Sequence, residues 1–285
     1  MARLLTFLFA LCLMAPSAQT FPMVADGGYV LVRGTLGGES IVILLDTGAP
    51  GLVLNERHYT GAAAHAECIG VQGPYPCAIA SVANFEWLGI VHKRTDAILS
   101  DLGFLEAALG TRIDALAGLN LLDGRGITVD HDLETITLEA EMPADEAGLV
   151  RFHYDQHLPV LTCRVNGRQV RLGLDTGSES NFLFRALDAA EANPSIGQVR
   201  VVGLGHAEES REHVPASLQL DKSGPPIAST FIIGSSGTHV PSFAIDGLLG
   251  QAFLQNFNYT VFPSKQKLWL QPRTAQPALV STQMP

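Results

Sequence analysis

Two acidic residues in this sequence each follow an apolar run and are each followed by threonine and glycine. The two triplets are Asp46-Thr47-Gly48 and Asp175-Thr176-Gly177. A single Asp-Thr-Gly is common in surface turns and is weak evidence for a site. Two carboxyl groups within a few ångströms of each other cannot both ionise, however, so one proton is shared between them. Such a pair can activate a water molecule by general acid and base catalysis, with no metal and no cofactor.

The two triplets occupy equivalent places in a duplicated sequence. Each follows a predicted β-hairpin whose two-residue turn, Gly37-Gly38 or Asn166-Gly167, is of a type that accepts positive φ angles. Asp46 and Asp175 are 129 positions apart, as are the two turns. A duplicated β unit with a purely structural role would not explain why each copy keeps the triplet.

A second pair of segments follows the same duplication. The segment "IDALAGLNLL" from Ile113 aligns with "IDGLLGQAFL" from Ile245 at a lag of 132 positions. Each contains two apolar residues followed by glycine, which places Gly118 and Gly250 in equivalent positions. The internal repeat, with strand-like segments throughout, predicts an all-β chain of two lobes with short helices.

The repeat also sets the predicted boundaries. We expect an N-terminal lobe over 27–140 and a C-terminal lobe over 150–272, joined by the Ala-, Pro- and acid-rich segment 139–148. Residues 273–285 are typical of a flexible tail. Residues 1–18 are typical of an export signal, with Arg3 followed by an apolar run that is short for a membrane span. The sequence therefore predicts a secreted or periplasmic protein without a stable membrane anchor.

Three cysteines follow the predicted signal. Cys68 and Cys77 bracket a Gly- and Pro-rich loop, and in an exported protein we expect them to form a disulfide. That bond would stabilise the fold by about 2–3 kcal/mol. Cys163 alternates with apolar residues along a predicted strand, which indicates a buried, unpaired thiol.

The remaining composition excludes several kinds of function. The net charge of −10 and the absence of a basic patch argue against nucleic acid as a partner. His153 and His157 have a helical spacing but precede a predicted strand, and His206 and His213 flank an acidic segment, so no metal site is predicted. Only 7% of residues are aromatic, which disfavours a carbohydrate-binding β protein.

Taken together, these motifs resemble those of the aspartic peptidases, and among them the retropepsin-like proteins that carry both lobes in one chain. The resemblance covers roughly residues 29–271 and rests on the two triplets together with Leu116-Ala117-Gly118 and Leu248-Leu249-Gly250. It implies a pseudo-symmetric β-barrel fold and an endopeptidase that acts on peptide or protein substrates. Because both aspartates lie in one chain, a monomer suffices. Pro50-Gly51 and Ala117 depart from the usual family pattern.

The resemblance also implies a role for each motif residue. Asp46 and Asp175 would be catalytic, and Thr47 and Thr176 would each brace the opposite loop. Gly48, Gly177, Gly118 and Gly250 would allow close packing. A hydroxyl at Ser178, where the first loop has Ala49, would donate to the neighbouring carboxylate, which predicts that Asp175 is the ionised member and Asp46 the protonated one.

The resemblance also implies flaps that close over a substrate. The candidates are Cys68–Cys77, where Tyr75 would contact substrate or be an ordinary surface residue, and 201–206, where Gly203 and Gly205 would permit movement. The alternative to a peptidase is a protein of the same fold that binds a peptide without cutting it, or cuts it weakly. Pro50 and Ala117 favour that alternative, whereas the retention of both complete triplets favours the enzyme.

Overall fold

The computed structural model describes residues 18–24, 28–70, 73–139, 148–184, 194–202, 208–220, 225–234 and 243–274. Nearly all of the predicted export signal, most of the predicted linker and the predicted tail from residue 275 onward lie outside these residues. So do Gly203 and Gly205 of the second predicted flap, and His206.

Strands make up most of the first half, because its apolar segments are rich in β-branched residues that fit a pleated surface. The strands are β1 Gln19–Pro22, β2 Leu31–Leu36, β3 Glu39–Leu45, β4 Leu52–Asn55, β5 Ala64–Gly70, β6 Gly73–Trp87, β7 Ile90–Ser100, β8 Ala115–Ala117, β9 Gly126–Asp130 and β10 Thr135–Glu139. Helix α1 is Gly103–Leu109, and short 3₁₀ helices cover Glu56–His58 and Leu119–Leu122.

The second half repeats this pattern. Its strands are β11 Leu149–Arg151, β12 His153–Asp155, β13 Leu158–Val165, β14 Arg168–Leu174, β15 Phe182–Leu183, β16 Gly197–Val202, β17 Glu208–Gln219, β18 Ile227–Ile233, β19 Gly247–Leu249, β20 Phe257–Phe262 and β21 Lys267–Pro272. Helix α2 is Gln251–Leu254, and a 3₁₀ helix covers Pro263–Lys265.

Both predicted hairpins that lead to the Asp-Thr-Gly triplets are confirmed. Strand β2 pairs with β3 around Gly37 and Gly38, whose φ angles are 61° and 92°. Strand β13 pairs with β14 around Asn166 and Gly167, whose φ angles are 48° and 81°. Positive φ at both central residues gives the twist that joins two antiparallel strands directly.

The strand that ends at each triplet is held by a short strand from later in the chain. In the first half, β8 lies between β3 and β4, parallel to the former and antiparallel to the latter. In the second half, β19 lies in the same way between β14 and β15. The two supporting segments found in the sequence repeat are therefore the central strands of two equivalent three-strand units.

Three sheets contain these strands. A seven-stranded sheet of order β2-β3-β8-β4-β7-β6-β5 forms the first lobe, and an eight-stranded sheet of order β12-β13-β14-β19-β15-β18-β17-β16 forms the second. A six-stranded sheet of order β1-β10-β9-β20-β21-β11 takes three strands from each half. Strand β1 lies ahead of residue 27, where the sequence places the start of the first lobe.

One hydrophobic core extends through both lobes. It includes Ile43 and Trp87 of the first lobe, Leu174 and Phe231 of the second, and Tyr259 of the shared sheet. Burial of side chains of this size contributes about 1.5–3 kcal/mol each. The two triplets are thus mounted on strands that one continuous core makes rigid.

The cysteines are arranged as the sequence predicts. Cys68 and Cys77 form a disulfide across the β5–β6 hairpin, with Cα atoms 5.8 Å apart. Cys163 is a free thiol, and it is buried. Within the described residues, no helix has the length and apolar character needed to cross a bilayer.

Candidate active site

The supporting strands hold both aspartates by their backbones. The amide of Asp46 donates to the carbonyl of Ala117 at 3.0 Å, and the amide of Asp175 donates to that of Leu249 at 2.9 Å. Each aspartate is the first residue after a buried strand, so its backbone has little freedom. This bond needs only a backbone carbonyl, so Ala117 makes it as well as the bulkier Leu249 does.

The two threonines join the loops to each other, as the resemblance implies. The amide of Thr47 donates to Oγ1 of Thr176 at 2.9 Å, and the amide of Thr176 donates to Oγ1 of Thr47 at 3.1 Å. Each hydroxyl in turn donates to a carbonyl of the opposite lobe, Thr47 to Leu174 at 2.6 Å and Thr176 to Leu45 at 2.7 Å. Because both threonines are buried, these four bonds fix one loop against the other without competition from water.

The glycines of the triplets leave room for the opposite carboxyl group. A Cβ atom added at Gly48 would lie 2.9 Å from Cγ of Asp175, and one added at Gly177 would lie 2.6 Å from Cγ of Asp46. Neither glycine has a positive φ, so the requirement here is close approach and not backbone conformation.

The supporting glycines allow the same closeness beneath the loops. A Cβ atom at Gly118 would collide with the carbonyl of Ala49, and one at Gly250 would collide with the carbonyls of Ser178 and Ser180. Two further residues hold the second loop: Asn181 accepts the amide of Gly250 at 3.0 Å, and Gln251 donates to the carbonyl of Thr176 at 2.8 Å.

The two carboxyl groups hydrogen-bond to each other and have equivalent backbone surroundings. Burial raises the pKa of both, and the pKa of Asp175 rises well above its usual value because the charge of Asp46 adds to the effect of burial. Oδ1 of Asp46 accepts the amides of Gly48 at 2.8 Å and Ala49 at 3.1 Å, which oppose the rise. Oδ1 of Asp175 likewise accepts the amide of Gly177 at 3.0 Å, so backbone amides oppose the rise at both residues and the two carboxyl groups titrate as one pair.

The hydroxyl contact that the sequence analysis expected at Ser178 is not formed. The hydroxyl of Ser178 donates to the carbonyl of Ser180 at 2.9 Å instead of to Asp175. The loop turns the side chain toward its own backbone, so the expected stabilisation of an ionised Asp175 by this hydroxyl is absent.

A cavity of about 370 Å³ is lined by both aspartates. Its other lining residues are mostly apolar and come from both lobes, among them Val53, Ile98 and Leu116 of the first and Phe184, Phe243 and Leu248 of the second. The β5–β6 hairpin also lines it, through Glu67, Cys68, Ile69, Gly70, Tyr75 and Ile79. The hairpin that the sequence suggested as the first flap thus borders the two carboxyl groups.

Tyr75 is more enclosed than either sequence-based interpretation supposed. Its side chain is buried, hydrogen-bonds to Ser100, and lies within electrostatic range of Asp46, and burial raises the pKa of its phenol. It is therefore part of the cavity wall and not a surface tyrosine.

His157 is a cavity residue that sequence reasoning did not identify as one. It lies in the turn between β12 and β13, and its Nε2 atom is 2.9 Å from the carbonyl oxygen of Gly48. Its ring meets Phe243 edge to face, with centroids 5.3 Å apart. No motif marks it, because the contact joins two segments that are distant in the sequence. His153, its partner in the discarded metal hypothesis, instead contacts Arg171 at 3.0 Å.

No group of three or more metal-binding side chains is found among the residues that the structure describes. The polar groups of the site are two carboxyl groups, one imidazole and backbone amides. Such a set can hold a polar molecule between the carboxyl groups and exchange protons with it.

Comparison with known proteins supports the fold. Basic 7S globulin from soybean matches with a TM-score of 0.50 and 12% sequence identity, over 91% of this chain and 95% of that one. This chain has the two-lobed β fold of the aspartic peptidases. No protein-family model and no curated protein matches the sequence. At 12% identity, the match to the globulin describes architecture and does not transfer activity.

Proposed function

We propose that this chain is an exported, monomeric aspartic endopeptidase of the retropepsin-like type, with Asp46 and Asp175 as its catalytic pair. The observation that carries the proposal is a pair of adjoining carboxyl groups, Asp46 buried and Asp175 half-buried, that line a mostly apolar cavity. A protein that only binds its ligand has no need of two adjoining carboxyl groups whose pKa values are both raised.

In the proposed reaction, Asp46 acts as the base and Asp175 as the acid. A water molecule held between them attacks the carbonyl carbon of the scissile peptide bond, and its proton passes to Asp46. Asp175 gives its proton to the carbonyl oxygen, so that a neutral tetrahedral diol forms. The diol collapses when its carbon–nitrogen bond breaks: the amine nitrogen takes up the proton held by Asp46, and one diol hydroxyl gives its proton to Asp175. This releases a carboxylic acid and an amine and restores the singly protonated pair. No covalent enzyme intermediate is formed.

The walls of the cavity indicate how a substrate would lie. An extended peptide would pass between the carboxyl pair and the β5–β6 hairpin, and its backbone would bond to the polar groups around it. Side chains on both sides of the scissile bond would meet apolar walls that include Ile98 and Leu116 from one lobe and Phe184 and Phe243 from the other.

A second candidate is a protein that holds a peptide in the same cavity but cleaves it weakly or not at all. The match to soybean Basic 7S globulin favours this candidate, because that protein bears the name of a globulin and not of a peptidase. Against it, the departures at Pro50 and Ala117 leave the first loop intact. The carbonyl of Pro50 accepts a bond from Asn120 at 2.9 Å, and that of Ala117 holds Asp46.

Cleavage of a peptide library by the mature chain, from about pH 3 to about pH 8, separates the two candidates. We expect cleavage that is lost in both Asp46→Asn and Asp175→Asn, since asparagine keeps the size of the side chain but cannot carry the proton. Asp123→Asn is a matched control, because this exposed aspartate has a φ of 51°, which asparagine tolerates.

The outcomes are distinct. If the folded wild type binds pepstatin but cleaves nothing at any pH, the binding protein is the correct description. If cleavage survives in either asparagine variant, the assigned pair is not the catalytic one.

A further inference from the structure

The imidazole of His157 is linked to Asp46 through a single peptide group. Nε2 of His157 lies 2.9 Å from the carbonyl oxygen of Gly48. The amide of the same peptide group belongs to Ala49, and it donates to Oδ1 of Asp46 at 3.1 Å. Two hydrogen bonds in series therefore connect a side chain of the second lobe to a carboxylate of the first.

The direction of both bonds is fixed by chemistry. A carbonyl oxygen only accepts, so Nε2 must carry the proton in this contact, and it does so both in that neutral tautomer and in the imidazolium. A donor at the oxygen of a peptide group polarises the group and strengthens its amide as a donor, by about 10–30% per bond. A strengthened Ala49 amide stabilises the ionised form of Asp46 more than its protonated form.

We propose that His157 is a positioning residue that acts through the Gly48–Ala49 peptide group to hold Asp46 in its ionised form. Its importance for turnover rests on the proposed peptidase function, whereas its effect on the carboxyl pair does not.

The loop of Asp175 has no equivalent of this contact at the matching position of the repeat. The residue 129 positions before His157 is Gly28, which has no side chain to offer to that loop. The chain thus breaks the symmetry of its own repeat at this point. The proposal predicts that the duplicated Asp-Thr-Gly loops differ in their preferred charge, a difference that the Ser178 hydroxyl does not produce.

Other ionisable groups also face the pair. Asp175 shares a hydrogen bond with Asp46, Tyr29 and Tyr75 lie within electrostatic range of Asp46, and Glu67 of the β5–β6 hairpin lines the same cavity. On the side of the His157 turn, Asp155 and Arg171 form an ion pair at 3.7 Å. None of them is altered when His157 is replaced, so a difference between wild type and variant reports the imidazole.

The test is carbon-13 NMR titration of the aspartate carboxyl groups in the folded chain. His157→Phe keeps a ring against Phe243 but has no donor, and His157→Gln places an amide nitrogen where Nε2 was but has no ring. His92→Phe is a matched control, because Nε2 of His92 also lies 3.0 Å from a backbone carbonyl, that of Leu121, and its ring stacks on Phe85.

We expect the lower macroscopic pKa of the pair to rise by roughly 0.3–0.5 unit in His157→Phe. It should return toward the wild-type value in His157→Gln and stay unchanged in His92→Phe. In an active enzyme, the acid limb of the kcat/KM profile should move upward by the same amount in His157→Phe.

Two results would overturn the proposal. An unchanged pKa in His157→Phe would mean that the peptide group transmits nothing. An equal rise in both His157 variants would mean that ring packing, and not the donor, is what matters. Because the titration needs no turnover, it decides this question even if the wild type cleaves no peptide.

Discussion

At the level of single residues, the two halves share a motif but not a chemical environment. Asp46 and Asp175 both follow apolar strands and both precede Thr-Gly, yet the charge of Asp46 adds to burial in raising the pKa of Asp175. Backbone amides oppose the rise at both residues, and the contact of His157 with the Gly48 carbonyl is present at the first loop alone of the two matching positions. The division of labour in the proposed reaction rests on this difference at His157.

The threonine bonds give a first prediction at this level. In Thr47→Val the side chain keeps its shape, but the amide of Thr176 and the carbonyl of Leu174 lose their buried partner. We expect the free energy of unfolding to fall by about 1–3 kcal/mol for each group left unpaired. Urea denaturation measures this loss. Thr47→Ser retains the hydroxyl and is the control, and equal stability of the valine and serine variants would contradict the prediction.

At the level of secondary-structure elements, an aspartate directly before each supporting strand accepts a backbone amide from the neighbouring hairpin strand. Oδ2 of Asp114 accepts the amide of Val42 at 2.9 Å, and Oδ2 of Asp246 accepts the amide of Arg171 at 2.9 Å. These aspartates occupy the same place in the sequence repeat. They hold β8 and β19 in register beneath the two catalytic loops.

The first of these aspartates, Asp114, lies among three basic side chains. Oδ1 of Asp114 lies 2.8 Å from Arg57, 2.6 Å from His58 and 2.7 Å from Arg112, while its side chain is only 1% exposed. Burial alone would raise the pKa of Asp114, but the bonds from Arg57, the Val42 amide and the other two side chains lower it to about 2.

This network predicts a dependence of stability on pH. Because the pKa of Asp114 is lower in the folded chain than in the unfolded one, its contribution is complete above about pH 4 and is lost as the pH falls toward about 2. The contribution is about 2 kcal/mol. Urea unfolding at several pH values should show that wild type loses this much more stability on acidification than Asp114→Asn does. Parallel curves for the two proteins would be evidence against it.

Across the molecule as a whole, the shared sheet joins the halves about a pseudo-twofold axis. Strands β9 and β20 pair so that Thr128 faces Thr260, and their hydroxyl oxygens are 2.8 Å apart. These residues are separated by 132 positions, the same lag that relates the supporting segments. Equivalent residues of the repeat therefore meet at the axis, as Thr47 and Thr176 do.

The axis predicts how half of the chain would behave. A fragment of residues 18–139 leaves the edge of β9 without β20, and a second copy can supply both the missing strand and the missing threonine. We expect the fragment to form a dimer, with sedimentation that depends on concentration. Thr128→Lys in the fragment would place two like charges face to face and should oppose association. A fragment that folds as a stable monomer would show that the shared sheet is not required.

Much of this architecture could be predicted from the order of the residues alone. The spacing of the triplets, the turn residues and the supporting segments predicted the β character, the two hairpins and the equivalence of the halves. The pair Cys68 and Cys77 was also identified correctly. These features are local or repeat at a fixed lag, so the linear chain carries them directly.

Other features depend on contacts between distant segments, and they emerged only once the chain was folded. Folding placed His157 on the carbonyl of Gly48, buried Tyr75 in the cavity wall and turned Ser178 away from Asp175. It also joined strands from both halves in one shared sheet. The physical reason is that the charge of a carboxyl group depends on burial and on a few donors at hydrogen-bond distance, and packing across the two lobes decides which donors those are.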